Sequence, residues 1–346
     1  MSAENDQKQP DLKERGAPAA ADTTQQTADP GAAKPPAGNA AAVSIDDGQI
    51  LADLERLFIR YIAVEPRLPL VLALWTVATY CFYLFDAFPY LAISSPTKRC
   101  GKTRLLDLLR MVCQRTKATV GISTAALFRT VDEEHPTLMI DEAESLSSKT
   151  EKAESLREIL NAGYRNGYKV TRCQGPNQER RQFDVYCPKA LALIGELPDT
   201  LADRCIPIRM RRRGVNEKVD RLRFANLVRE AIPLCERLKN WVSAHVGEIG
   251  RWYNENDLLF VEDREAELWL PLFAVCSRLS PQRMAELEVI AGELSDGKTI
   301  GEPDALPIRL LADLRDAFTR RGVDRIATGA LVTDDLFSSE EGPWRD

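Results

Sequence analysis

The sequence predicts an α/β fold: a parallel sheet with helices on both faces, then an all-helical C-terminal region. Three observations predict it. The apolar run from Tyr90 passes through the polar loop Ser95-Pro-Thr-Lys-Arg-Cys-Gly101 into the helical pattern Lys102-Thr-Arg-Leu-Leu-Asp-Leu-Leu-Arg-Met-Val. Pro136-Thr-Leu-Met-Ile-Asp-Glu-Ala143 is a second buried-strand pattern, and it ends in two carboxylates. Strand and helix patterns alternate as far as Met210, and from Asn216 the chain reads as mostly helical.

The elements follow in order. Ser44 caps a helix whose apolar positions Leu51, Leu54, Phe58 and Ile62 recur at helical spacing. Leu68 to Phe85 is an uncharged run near the lower limit for a membrane span. Pro69, Thr76, Thr79 and Cys81 interrupt it, and a strand begins a few residues later, so a helix buried against the sheet is expected. Ala118–Gly121 is a short strand, Ser123 caps the helix 124–131, and 155–165 is a further helix. Tyr168–Cys173 and Arg181–Tyr186 flank the turn residues Gln174-Gly-Pro-Asn-Gln178, which predicts a hairpin. Lys189–Gly195 is a buried strand, Pro198–Asp203 a short helix and Cys205–Met210 a last strand.

The first motif reads as a phosphate-binding loop of a P-loop NTPase. Gly101 admits close backbone approach to a phosphate, Lys102 reaches the β- and γ-phosphates, and the Thr103 hydroxyl ligates Mg²⁺. Lys98 and Cys100 lie inside the loop and complete the expected ATP contacts. Pro96 stands where the usual pattern has its first glycine. The second motif supplies the acids that a phosphate site needs. Asp141, expected at the end of a neighbouring parallel strand, holds Mg²⁺ through water, and Glu142 polarises the attacking water, with Glu144 next in line. The alternative is an ordinary strand with a solvated acidic cap.

Of the 346 residues, 1–43 are rich in Ala, Pro, Gln, Asp and Lys and nearly lack large apolar side chains, so a disordered tail is expected, with no signal-peptide pattern. The net charge of −6 argues against indiscriminate nucleic-acid coating but leaves room for a local basic groove. The eight cysteines are dispersed without a C-x-x-C pair, and the two histidines are His135 and His245. Reduced buried thiols in a cytoplasmic protein are the plain expectation, without membrane attachment.

The order of P-loop, paired acids, helix, hairpin, buried strand and then Leu197-Pro-Asp-Thr-Leu-Ala-Asp-Arg204 resembles the AAA+ ATPases that carry a hairpin before the sensor-1 strand. That branch includes superfamily 3 and minichromosome-maintenance helicases. More closely, the chain resembles an uncharacterised P-loop domain of phages, plasmids and integrated elements that often follows primase-like regions. The matching stretches are Pro89–Leu109, His135–Glu142, Leu160–Arg172, Pro188–Arg213 and Leu306–Pro343.

The resemblance implies a core over 44–214, a helical lid over 215–300 and a shortened winged-helix-like segment over 301–346. Within that segment, Leu306–Arg321 and Thr328–Phe337 form a helix pair, with Gly322 as stop and Thr328 as cap. It implies an ATP-driven DNA helicase or translocase in a homo-oligomeric ring, acting on single-stranded DNA beside a separate primase or replication protein. Arg204 falls where an arginine finger completes a neighbour's site; an ion pair with Asp199 or Asp203 is the alternative. Arg264 resembles a sensor-2 arginine contacting ATP, and the sensor-1 position is unassigned. Lys169, Arg172, Arg180 and Arg181 are expected to track a phosphate backbone from the hairpin, with the Arg209–Arg213 run as second candidate. An ATPase loader or switch without unwinding, and a binding module with a decayed nucleotide site, are the competing readings.

Overall fold

A computed structural model describes residues 47–174, 178–214, 217–299, 310, 314–315 and 317–336. Five parallel strands form the central sheet: β1 (Tyr90–Ser95), β2 (Thr116–Val120), β3 (Thr137–Asp141), β6 (Lys189–Ile194) and β7 (Cys205–Arg209), in the order β2-β3-β6-β1-β7. β4 (Lys169–Gln174) and β5 (Glu179–Asp184) pair antiparallel as a separate two-stranded hairpin. The apolar run of β6 suits a strand paired on both sides within the sheet. Pro207, which cannot donate to a ladder, lies in β7 at the sheet edge.

The helices on the sheet are α3 (Lys102–Val112), α4 (Thr124–Glu134) and α5 (Glu151–Ala162), with the single turn α6 (Asp199–Ala202) before β7. Ser123 caps α4 as expected, its hydroxyl accepting from the Ala126 amide at 3.2 Å. α5 starts earlier than the sequence suggested, because Thr150 caps it by accepting from Ala153 at 3.3 Å. Before the sheet come α1 (Asp47–Tyr61) and α2 (Leu68–Ala78). Every residue of α2 is buried, which accounts for the uncharged run; burying each Leu or Val contributes roughly 1.5–3 kcal/mol. Among the described residues, no helix is long and apolar enough to cross a membrane.

After the sheet come α7 (Phe224–Glu255), α8 (Asp263–Leu279) and α9 (Met284–Thr299). α7 packs on α1 and α3, and α8 packs on α2. Helices of the region expected as a lid, 215–300, thus pack on α1, α2 and α3. Trp241 and Trp269 lie in the same buried cluster as Trp75 and the strands.

The tail, Ser44 and most of the expected helix 306–321 lie outside the described residues. So does Phe337. Gly322 does stop a helix, with φ +62° and its N–H donating to Phe318 O at 2.9 Å. Thr328 is not a cap: Ala327 holds that position, and the short helix Thr328–Ala330 runs into a π-turn over Leu331–Leu336.

Candidate nucleotide site

β1 lies where chain connections diverge. The chain leaves it through α3 toward β2 at the far edge, while β7 is added on its other side. Ligands of open parallel sheets bind at such points, beyond the carboxyl ends of the strands. The loop 96–101 occupies that position. Gly101 has φ +91°, a left-handed conformation, and the first turn of α3 follows it directly. Lys102 Nζ donates to Ser95 Oγ at 2.6 Å, and Ser95 Oγ donates to Thr97 O at 2.7 Å, so the lysine folds back over its own loop.

Thr103 Oγ1 donates to Asp141 Oδ2 at 3.0 Å. The expectation of adjacent strands is corrected here, because β6 lies between β1 and β3. The two side chains meet because α3 packs across β6 and β3, which carries its first turn to the end of β3. A hydroxyl and a carboxylate side by side form an oxygen donor pair of the kind that suits Mg²⁺.

Asp141 Oδ1 also accepts from the Glu142 amide at 2.9 Å. Glu142 is exposed at φ +58°, a conformation that costs a non-glycine residue about 1–3 kcal/mol and points to a local constraint. Glu144, the runner-up base, is engaged elsewhere: Oε1 accepts from the Ile194 amide at 2.7 Å, capping β6 at the position left without a polar residue.

A cavity of about 510 Å³ opens over the loop. Cys100, Gly101, Lys102 and Thr103 line it together with Arg99 and Arg104. Cys100 is buried, its thiol donating to Thr97 O at 3.3 Å. Lys98 is exposed and is not among the residues lining this cavity. Tyr61 to Ala63 and Val219 supply an apolar wall.

Arg211 and Arg213 also line the cavity. They belong to the basic run expected above as the second candidate for a phosphate backbone, and the edge position of β7 beside β1 brings them here. Arg211 is forked onto Glu217, with Nη1 to Oε2 at 2.7 Å and Nη2 to Oε1. Arg211 and the Gly214 N–H hold the Glu217 carboxyl down at about 2.

Arg204 and Arg264 lie at the other end of the sheet. Arg204 precedes β7, and its carbonyl accepts from Tyr90 N at the start of β1. It forms no ion pair with Asp199 or Asp203 among the described residues; its Nη1 donates to Thr200 O. Arg264, in the first turn of α8, lines a second cavity with Arg204. Arg264, expected as a sensor-2 arginine, thus lies away from this chain's own loop. Burial, and then Arg264, hold the Arg204 guanidinium below its ordinary value.

The hairpin splits its four cations between two faces. Arg172 and Arg181 are cross-strand partners on the face that carries buried Val170 and Phe183. Each meets an acid of the protein body at 3.2 Å, Arg172 Glu158 and Arg181 Asp132. Lys169 and Arg180 lie on the opposite face, exposed, with no ion pair among the described residues. Of the four cations expected to track phosphates, two thus stand on the outward face and two beside acids of the protein body.

Residues 209–346 match a protein-family model described as "Protein of unknown function (DUF3631)". No curated protein matches the chain.

Proposed function

We propose that the protein is a P-loop ATPase of a mobile-element replication system, related to the AAA+ and superfamily 3 helicases and acting on DNA in the cytoplasm. The observation that carries this reading is the Thr103–Asp141 contact, made where a lysine-bearing loop opens a helix at the carboxyl edge of a parallel sheet. In this reading Lys102 exchanges Ser95 for the β- and γ-phosphates, and the N–H groups at the start of α3 face the same anion. Thr103 and Asp141 hold Mg²⁺, which when bound neutralises charge on the phosphates. Glu142 orients the attacking water and accepts its proton. Tyr61, Ile62 and Val219 offer apolar surface to the base.

The function further assigned to the chain is that of a helicase or translocase working as a homo-oligomeric ring on single-stranded DNA. Arg204 completes the site of a neighbouring subunit, and a separate primase or replication protein supplies priming. A switch or loader without unwinding is favoured by one observation: half of the hairpin's cations are held by Glu158 and Asp132.

The test is ATP turnover measured with and without single-stranded DNA, followed by strand displacement. DNA-stimulated turnover with displacement supports the motor, and turnover without displacement supports the switch. Absence of turnover under both conditions removes the enzymatic reading.

A further inference from the structure

Two exposed apolar surfaces lie at opposite ends of α7, one edged by acids and the other by arginines. At the carboxyl end, the loop 256–262 joins α7 to α8. It buries Leu258 and turns Leu259 outward, with 93% of that residue exposed. Trp252, Leu258, Leu259, Phe260, Phe273 and Met284 line a groove of about 480 Å³ between this loop, α8 and the start of α9. Phe260 packs on Phe273 with 5.6 Å between ring centroids and is still 38% exposed. The polar residues of the groove are Asp257 and Glu288. Both are exposed and neither forms an ion pair among the described residues.

At the amino end, Phe224, Val228 and Ile232 recur every four residues along α7. Phe224 is 64% and Ile232 56% exposed. The stripe widens the apolar face of α7 beyond the arc that the core covers through Leu227, Leu234 and Leu238. Arg221, Arg223 and Arg229 flank it in sequence, exposed and without an ion pair among the described residues. Single exposed apolar side chains are ordinary. A stripe on a helix differs, because its members can enter one groove together.

The two surfaces are complementary in chemistry. A stripe of Phe, Val and Ile flanked by arginines suits a groove of aromatic and Met side chains edged by carboxylates. Aromatic, Met and Arg side chains are the ones enriched at such interfaces. One copy cannot make the contact with itself. α7 is a single helix of 32 residues, about 48 Å long, and it holds the stripe at one end away from the groove at the other. A second copy of this chain presents the matching surface.

We propose that the Phe224–Ile232 stripe of one copy docks in the groove beside Leu259 and Phe260 of another. The contact joins unlike surfaces, so it leaves each pair with one open stripe and one open groove. Association then runs on into a chain or closes into a ring. The proposal names surfaces for the homo-oligomer assigned above and rests on that part of the reading, not on nucleotide binding.

The test is sedimentation velocity of the full-length protein up to roughly 100 μM, a concentration at which even a weak interface associates. Wild type is expected to pass beyond the dimer as concentration rises. Phe224→Ser and Leu259→Ser are each expected to weaken association tenfold or more at an unchanged melting temperature, since both side chains are exposed. Mixing the two variants provides the control for folding. The Leu259→Ser copy keeps its stripe and the Phe224→Ser copy keeps its groove, so the mixture should form a dimer and stop there. A wild type that stays monomeric overturns the homo-oligomer and the contact together. Wild-type association that both variants retain overturns the contact alone, and so does a mixture that forms no dimer.

Discussion

Thr103 and Asp141 stand 38 positions apart in sequence, yet the hydroxyl of one donates to the carboxylate of the other at 3.0 Å. Thr103 lies in the first turn of α3, which follows β1, and Asp141 ends β3; β6 separates the two strands, and the path of α3 across the sheet brings the residues together. The contact places Glu142, the next residue, at the rim of the same site. Glu142→Gln should therefore bind ATP with near wild-type affinity and hydrolyse it at least tenfold more slowly. Paired calorimetry and phosphate-release assays check this. Unchanged turnover would remove the role of Glu142, and Glu144 is a poor substitute because it already caps β6.

Arg211 lines the P-loop cavity while forked onto Glu217. A phosphate entering the cavity competes with Glu217 for this guanidinium. Glu217→Gln should free it and tighten nucleotide binding by roughly two- to fivefold, the modest size expected of an exposed pair. Arg211→Ala should weaken it. Equal affinities in all three proteins would show that Arg211 does not reach the nucleotide.

The two faces of the hairpin make separable predictions. Replacing Lys169 and Arg180 with Ala should lower single-stranded DNA affinity and flatten its log–log salt dependence by about 0.7 for each phosphate no longer neutralised. Replacing Arg172 and Arg181 should leave the salt slope nearly unchanged and cost at most about 1 kcal/mol of stability for each of these largely exposed pairs. Salt-titrated fluorescence anisotropy and thermal melts distinguish the cases. The reverse pattern would place DNA on the inward face.

Burial pushes the thiols of Cys81 and Cys276 up to about 12 from an ordinary value of 9.0. A folded-state value above the unfolded one means that the native state holds its proton longer. Stability is therefore complete below pH 9 and falls as pH rises from there toward 12, by about 1.4 kcal/mol per pH unit for each thiol. Urea melts between pH 8 and pH 10.5 should show the decline, and Cys81→Ala should make it shallower. An unchanged slope in that variant would remove Cys81 as a contributor.

The parallel sheet was legible because its strands are short apolar runs bounded by turn chemistry, and Gly101-Lys-Thr103 and Asp141-Glu142 lie at the ends of two of them. Strand order was not legible: no local pattern reveals that β6 inserts between β1 and β3. Nor was the helical packing. The apolar stripe of α7 looks the same whether it covers a lid or closes over α1 and α3. Arg211 and Arg213 stood out only as charge, because their entry into the loop cavity depends on β7 pairing with β1. Ser95 carried a faint signal as the last strand residue before the loop. The groove at Phe260 carried none, since Trp252, Phe273 and Met284 join it only in three dimensions.

Nucleotide binding by the loop ending in Gly101-Lys102-Thr103 underlies every enzymatic role proposed for the protein. It is tested most directly by calorimetric titration of Mg·ATP into wild-type and Lys102→Ala protein. Saturable binding by wild type, weakened at least a hundredfold in the variant while its melting temperature is retained, is the predicted result. No binding to wild type at millimolar ATP, or equal binding to both proteins, would contradict it.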